Sequence, residues 1–147
     1  MRQRGHETFE HEADIGVRGY GESIEASFAE AARAMFAIIA GDLQGVPCKQ
    51  GVAIEASGFD LESLFVAFLN ELLARSDLEG MLFTDFDIGV SGLELRGTAY
   101  GAELDFQSED RGVEVKGATY SQVKVEQKGG VWTAQCVVDV YRLAERS

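Results

Sequence analysis

An apolar stripe between Leu61 and Leu73 constrains the fold more than any other feature of this sequence. Apolar residues recur there at intervals of three and four, which predicts a helix with one wide apolar face. Aspartate is a preferred N-cap residue, so we expect the helix to begin directly after Asp60. The helix has to bury this face against a sheet or another helix. The residues of the stripe are Leu64, Phe65, Phe68, Leu69, Leu72 and Leu73.

A second segment, Ser23 to Ile39, also has helical spacing, and Ser23 is its expected N-cap. The apolar positions of this first helix in the chain are Ile24, Phe28, Ala31, Met35 and Ile38.

The remaining patterns are typical of strands. Residues 51–57 alternate in polarity, and residues 113–116 are expected to be extended. Two longer segments predict hairpins, which turn at Ser91-Gly92 and at Gly129-Gly130. Residues 41–50 are expected to form a loop. We therefore predict an α+β fold, in which largely antiparallel sheet packs with two amphipathic helices. A length of 147 residues fits one domain, 1–147.

The charge balance limits the possible partners. The chain has 13 lysines and arginines against 25 aspartates and glutamates, a formal net charge of −12. Such a field repels a phosphate backbone, which argues against direct, autonomous binding to nucleic acid and favours a basic partner protein or a cation. No apolar run approaches the ~20 residues of a membrane span, and the first residues lack an apolar signal segment. The expected location is therefore the cytoplasm, without a membrane partner.

Few residues are suited to catalysis. The sequence has no GxSxG motif, and Cys48 and Cys136 do not form a CxxC pair. The only histidines are His6 and His11. His11 opens an HExxH-like pattern, but Ile15 occupies the position of the second histidine, which removes a zinc ligand. We therefore predict that the protein is not an enzyme.

Two aspartates lie in strand-like segments. Asp14 stands at the start of the strand in HEADIGVRGYG, and Asp139 lies in CVVDVY, where both strand faces are mainly apolar. We expect Asp139 to be buried and therefore to have a partner. One possibility is a cation, held by both aspartates if their strands are neighbours, with Glu12 on the same strand face as Asp14. The other is that Asp139 pairs with Arg18 or Lys116, while Asp14 caps a turn.

Three segments together resemble the archease family over nearly the whole chain. They are HEADIGVRGYG before a helix, GFDLESLFVAFLNELLARSDLEGMLF, and EVKGATYSQVKVEQKGGVWTAQCVVDV. The resemblance implies a small α+β protein that assists an RtcB-type RNA-splicing ligase without being the ligase. It would promote guanylylation of the ligase, which uses GTP and manganese, and would support multiple turnover in tRNA splicing or RNA repair. An alternative function is a general chaperone or scaffold for RNA-processing and RNA-modifying enzymes.

The resemblance also implies roles for particular residues. Asp14, Asp139 and the main-chain oxygen of Val140 would bind a divalent cation, usually calcium, with magnesium and manganese as alternatives. Lys116 would contribute to activation of the partner, and we assign His11 and Glu12 to the same surface. GTP would be used by the ligase rather than bound by this chain alone.

The sequence departs from the family pattern at three places. Glu12 stands where threonine is common, and Ser121 replaces a frequent histidine. The chain also continues beyond Val140, so this residue can offer only its peptide carbonyl to a cation.

Overall fold

The computed structural model describes residues 4–40, 50–103 and 113–142. Within them lie two helices and eight strands. In chain order these are β1 (Gly5–His11), β2 (Asp14–Gly21), α1 (Ile24–Ala40), β3 (Gln50–Ser57), α2 (Leu61–Glu79), β4 (Met81–Ser91), β5 (Glu94–Glu103), β6 (Val113–Ala118), β7 (Lys124–Lys128) and β8 (Val131–Arg142).

The strands form two antiparallel sheets. Sheet A has the order β1-β2-β8-β6. Strands β6 and β7 pair with the same edge of β8, β6 along residues 138–142 and β7 along residues 131–135. Sheet B has the order β3-β5-β4. Both helices contact strands of both sheets: α1 lies against β2, β8 and β4, and α2 lies against β3 and β6. The helices thus form a layer between the sheets, which confirms the predicted α+β class.

The predicted apolar stripe of α2 is buried in this layer. Leu64, Phe65, Phe68, Leu69 and Leu72 are all fully buried, and Leu73 packs against the core. These side chains pack against α1 and sheet B. For example, the ring centroids of Phe65 and of Phe28 on α1 are 4.9 Å apart. Burial of several large apolar side chains is the main favourable contribution to folding here.

The ends of α2 follow from single residues. Asp60 accepts a hydrogen bond from the Ser63 N–H, and the Ser63 hydroxyl accepts one from the Asp60 N–H, which completes a capping box. The hydrogen bond from the Ser63 backbone holds the pKa of Asp60 below its usual value. Gly80 ends the helix in the left-handed region, with φ of 64°. The predicted N-cap is confirmed.

Other predicted boundaries also agree with the structure. The Ser23 hydroxyl accepts a hydrogen bond from the Ala26 N–H at the start of α1. The two hairpins turn where predicted, with positive φ at Gly92, Gly129 and Gly130. The extended segment predicted over residues 113–116 is β6. Residues 41–49, the greater part of the predicted loop, lie outside the described residues, as does Cys48.

Strand β1 was not predicted from the sequence. Its side chains alternate between half-buried and exposed, and most are polar. Buried Glu30 of α1 holds the strand, because it accepts a hydrogen bond from Arg4 Nε at 2.6 Å and contacts His6 Nδ1 at 2.9 Å. Arg33 joins the same carboxylate at 2.7 Å and also bonds Asp85 of β4. The charged cluster around Glu30 therefore links β1, α1 and sheet B.

Helix α1 approaches sheet A very closely at Gly19. A Cβ atom on Gly19 would lie 2.2 Å from the Ser27 carbonyl oxygen and 2.3 Å from the Ala31 nitrogen. Only glycine allows this backbone-to-backbone approach.

Neither of the helices that the structure describes is both long enough and apolar enough to cross a lipid bilayer.

Candidate functional site at one corner of sheet A

The pairing of β2 with β8 brings the two predicted aspartates together. Ile15 pairs with Val138, so the antiparallel register places Asp14 beside Asp139. The Val140 N–H donates a hydrogen bond to Asp14 Oδ1 at 3.1 Å, across 126 positions of sequence. The premise that these two strands are neighbours is therefore confirmed, and Asp14 caps the end of the β2–β8 ladder rather than a turn.

A row of functional candidates crosses four strands on the outer face of sheet A. On β2 and β8 the core residues Val17 and Val138 face the helices. Alternation along each strand therefore directs Asp14 and Asp139 to the opposite, outer face. His11 pairs with Asp14 on one side of the row, and Gly117, next to Lys116, pairs with Asp139 on the other. We call this row, together with Glu12 and Val140, the acidic corner.

Asp139 is exposed, which corrects the prediction that it is buried. The apolar residues around it suggested a strand covered on both faces. Both helices, however, lie on the inner face of sheet A, and the outer face at the acidic corner remains open to solvent. Exposure removes the desolvation cost that would have required a partner for the carboxylate.

Neither ion pair considered for Asp139 is present. Arg18 instead donates to Glu7 and to the Gln135 side chain, at 2.5 and 2.8 Å. Lys116 forms no ion pair with Asp139 or with any other described carboxylate. Within residues 4–40, 50–103 and 113–142, the Asp139 carboxylate has no hydrogen-bonding partner, so it is available for a ligand.

Lys116 occupies a β-bulge. The register between β6 and β8 shifts between Val115 and Gly117, so Lys116 has no residue opposite it on β8. A bulge of this kind redirects the side chain of its extra residue. The Lys116 ammonium lies over the ring of Tyr141, with Nζ 4.9 Å from the centroid. Seven other lysine and arginine side chains are described, and each lies within 4.0 Å of a carboxylate.

Glu12 is placed differently from the prediction. It lies in the turn between β1 and β2 with φ of 56°, so it does not share a strand face with Asp14 by two-residue alternation. Its side chain is exposed, and His11 before it is half-buried. Both residues nevertheless lie at the acidic corner.

The donor atoms at this corner suit a hard cation only in part. Two carboxylates and a strand-end carbonyl are oxygen donors, which calcium and magnesium prefer. The N–H and C=O of one strand residue point to the same side, so the Val140 carbonyl faces the side on which Asp14 lies. Among the described residues, however, no group of three or more acidic, histidine or cysteine side chains is arranged to hold a metal. Water or a partner would have to supply the remaining ligands.

The sequence reasoning missed Tyr141 as a residue of the site. Its position two residues after Asp139 was the available signal, because that spacing places both on one strand face. What the sequence did not show was which side chain of the neighbouring strand would meet the ring.

Comparison with known proteins gives a consistent family match. The model of the Archease protein family matches residues 6–140. A protein archease from Pyrococcus abyssi is 42% identical, covering 91% of this chain and 97% of the relative. A protein archease from Pyrococcus furiosus is 41% identical, covering 95% of this chain and all of the relative.

Two solved structures share the fold. The solution structure of Methanobacterium thermoautotrophicum protein 1598 has a TM-score of 0.80 and 34% identity, covering 92% of this chain and 98% of the other. The crystal structure of an archease from Thermotoga maritima, described as a possible chaperone, has a TM-score of 0.56 and 23% identity, covering 95% and 97%. The second likeness bears on the fold alone.

Proposed function

Because the chain belongs to the Archease protein family, we propose that it is a non-catalytic activator of an RtcB-type RNA-splicing ligase. It promotes guanylylation of the ligase and its repeated turnover in the cytoplasm. The ligase binds the RNA, GTP and manganese. The observation that carries this proposal is the acidic corner itself: Asp14 and Asp139 lie side by side on an open face, next to the ammonium of Lys116, which has no described carboxylate partner.

Charge supports the choice of partner surface. A net charge of −12 attracts a basic protein surface over long range and increases the rate of encounter. At close range, the Asp139 carboxylate can accept hydrogen bonds from basic groups or bind a metal ion at the ligase site. The Lys116 ammonium can donate to phosphate oxygens. The acidic corner thus carries both signs of charge. Its carboxylates complement basic groups or metal ions of a guanylylation site, and its ammonium complements the phosphate groups.

A divalent cation is part of the proposal. Asp14, Asp139 and the Val140 carbonyl would hold calcium, or else magnesium or manganese, together with oxygens from water or the ligase. The cation would neutralise the two carboxylates and attract anionic oxygens. Asp14 has one oxygen already engaged by the Val140 N–H, which fixes the orientation of its carboxylate toward such a ligand.

The test is a guanylylation assay with purified ligase, GTP and manganese, in which the chain is substoichiometric. The wild-type chain should accelerate guanylylation and support repeated RNA joining. Asp139→Asn keeps the size of the side chain but removes its charge, and we expect it to lower the stimulation at least about tenfold, as for loss of one close charge contact. Asp87→Asn, at an exposed aspartate of sheet B, is the matched control and should stimulate normally.

Two results would contradict the proposal. One is an unstimulated ligase in the presence of the wild-type chain. The other is an equal loss with Asp139→Asn and Asp87→Asn, which would reflect net charge rather than the acidic corner.

A general chaperone is the second candidate, because the described surface includes large exposed apolar side chains such as Phe59 and Leu78. The apolar stripe of α2 is buried, so it is not available as a client-binding surface. Such a function would have to use other groups, such as Phe59, which is 95% exposed. This candidate predicts that the chain suppresses aggregation of unrelated unfolded proteins without GTP, and that Asp139→Asn does not alter the suppression.

A further inference from the structure

We infer that Tyr141 is a positioning residue, whose ring holds the Lys116 ammonium at the acidic corner without a carboxylate partner among the described residues. The inference rests on the proposed function for the use of Lys116. The ring contact itself can be tested without the ligase.

The geometry of two neighbouring strands carries the inference. Tyr141 lies on β8 two residues after Asp139, so alternation places both side chains on the outer face of sheet A. Its cross-strand partner is Glu114, two residues before Lys116. The bulge at Lys116 allows the lysine to turn toward the ring, and its Nζ lies 4.9 Å from the ring centroid. This distance is within the ~6 Å range of a cation–π interaction.

The type of contact explains why a ring is suited to this task. The seven other described lysine and arginine side chains lie within 4.0 Å of carboxylates, which offset their charge. Four of them also donate hydrogen bonds to these carboxylates: Arg4, Arg18, Arg33 and Arg75. An aromatic face attracts the ammonium through its quadrupole and leaves the charge intact. It also restricts a long side chain that would otherwise sample many rotamers. Lys116 is therefore kept in place while remaining able to bind an anionic group.

Tyr141 directly follows the part of the chain that the family model matches, residues 6–140. The contact gives Lys116 a fixed position relative to Asp139 on the neighbouring strand.

The first experiment observes Lys116 directly in the full-length chain by NMR, with lysine side chains isotopically labelled and the signal assigned with Lys116→Met. Ring current should shift the methylene signals next to the ammonium upfield. Tyr141→Leu should abolish this shift and Tyr141→Phe should preserve it. Tyr100→Leu, at a half-buried tyrosine of sheet B, is the matched control and should leave the shift unchanged. A Lys116 signal that is the same in wild type and Tyr141→Leu would overturn the inference.

The second experiment measures stimulation of ligase guanylylation over a range of chain concentrations. Tyr141→Leu should raise the concentration for half-maximal stimulation roughly two- to fivefold, with the maximum rate unchanged, and Tyr141→Phe should restore the wild-type value. In a Lys116→Met background, Tyr141→Leu should have no further effect. A full effect in that background would show that Tyr141 acts independently of Lys116 and would overturn the inference.

The outcomes separate this inference from the proposed function. If Lys116→Met and Tyr141→Leu both stimulate normally while the NMR shift responds as expected, the positioning contact is supported and the role of Lys116 in activation is refuted.

Discussion

Replacing Gly19 by alanine should destabilise the protein severely, although alanine is otherwise favourable in a strand relative to glycine. The added Cβ would lie 2.2 Å from the Ser27 carbonyl oxygen and 2.3 Å from the Ala31 nitrogen. Both contacts are to the backbone of α1, which has no rotamer to change. To reach an ordinary contact of 3.4 Å, the helix and strand must separate by about 1.2 Å.

The cost in free energy of unfolding arises because this separation would loosen the packing of α1 in the core. Helix α1 contributes Phe28, Met35 and Phe36 to the core, all fully buried. Overpacking a well-packed site costs about 1–3 kcal/mol, and we expect the upper end here, about 3 kcal/mol, because the obstruction is backbone. In a domain of this size that corresponds to roughly 10 °C in Tm.

Thermal and urea unfolding should be compared for Gly19→Ala and for Gly89→Ala. At Gly89 the nearest atom to an added Cβ is the Arg96 carbonyl oxygen at 4.0 Å, so this control should change the free energy of unfolding by less than about 1 kcal/mol. If the two variants unfold at the same temperature, the close approach of α1 to β2 described above is incorrect.

Three further predictions concern charged and reactive groups. Burial raises the pKa of Glu30, but hydrogen bonds from Arg4 and His6 and the charge of Arg33 outweigh it, so the pKa lies below its usual 4.5. Glu30→Gln should lower the free energy of unfolding by about 2 kcal/mol at pH 7. A depressed folded pKa contributes stability that is fully present above the usual pKa and is lost as pH falls through the lowered value. The difference from wild type in urea unfolding should therefore shrink below pH 4.5; a constant difference would contradict the ionic role. Burial raises the pKa of the Cys136 thiol to about 12, so Cys136 should resist alkylation at pH 8 until the protein is unfolded, and mass spectrometry of the labelled peptides checks this. If the acidic corner binds calcium, a calcium concentration of 100 times Kd should increase the free energy of unfolding by about 2.7 kcal/mol and raise the Tm accordingly. Asp139→Asn should abolish this rise in Tm. An unchanged Tm of the wild-type chain would argue against the cation.

Features that depend on local sequence could be predicted well. The start of α2 follows from Asp60 and Ser63, which satisfy the helix end within one turn. Its buried face follows from the spacing of Phe65, Phe68 and Leu72. The hairpin turns follow from glycines that adopt positive φ. None of these requires knowledge of a distant partner.

Features that depend on distant contacts were less accessible. Strand β1 is polar, and its attachment relies on Glu30, 24 and 26 positions away from the residues it binds. The burial of Asp139 was predicted wrongly because strand periodicity identifies two faces but not which layer covers each of them. Val137 and Asp139 share one face, yet the first is 2% exposed and the second is open to solvent.

The acidic corner shows the same division. The meeting of Asp14 and Asp139 could be predicted once their strands were assumed to be neighbours. The environment of Lys116 could not, because a bulge is a property of the register between two strands rather than of either sequence. The contact with Tyr141 depends on that register.

The central position of β8 has a consequence for synthesis. Residues 131–142 form the strand on which β2, β6 and β7 all pair. While a ribosome is still making this segment, β1 and β2 have emerged without the strand that completes their sheet. Asp14 then has neither its Val140 hydrogen bond nor its neighbour Asp139. The corner can therefore form only in a molecule whose translation has passed this strand, and a product that terminates before it would contain Asp14 and Lys116 without the strand that brings them together.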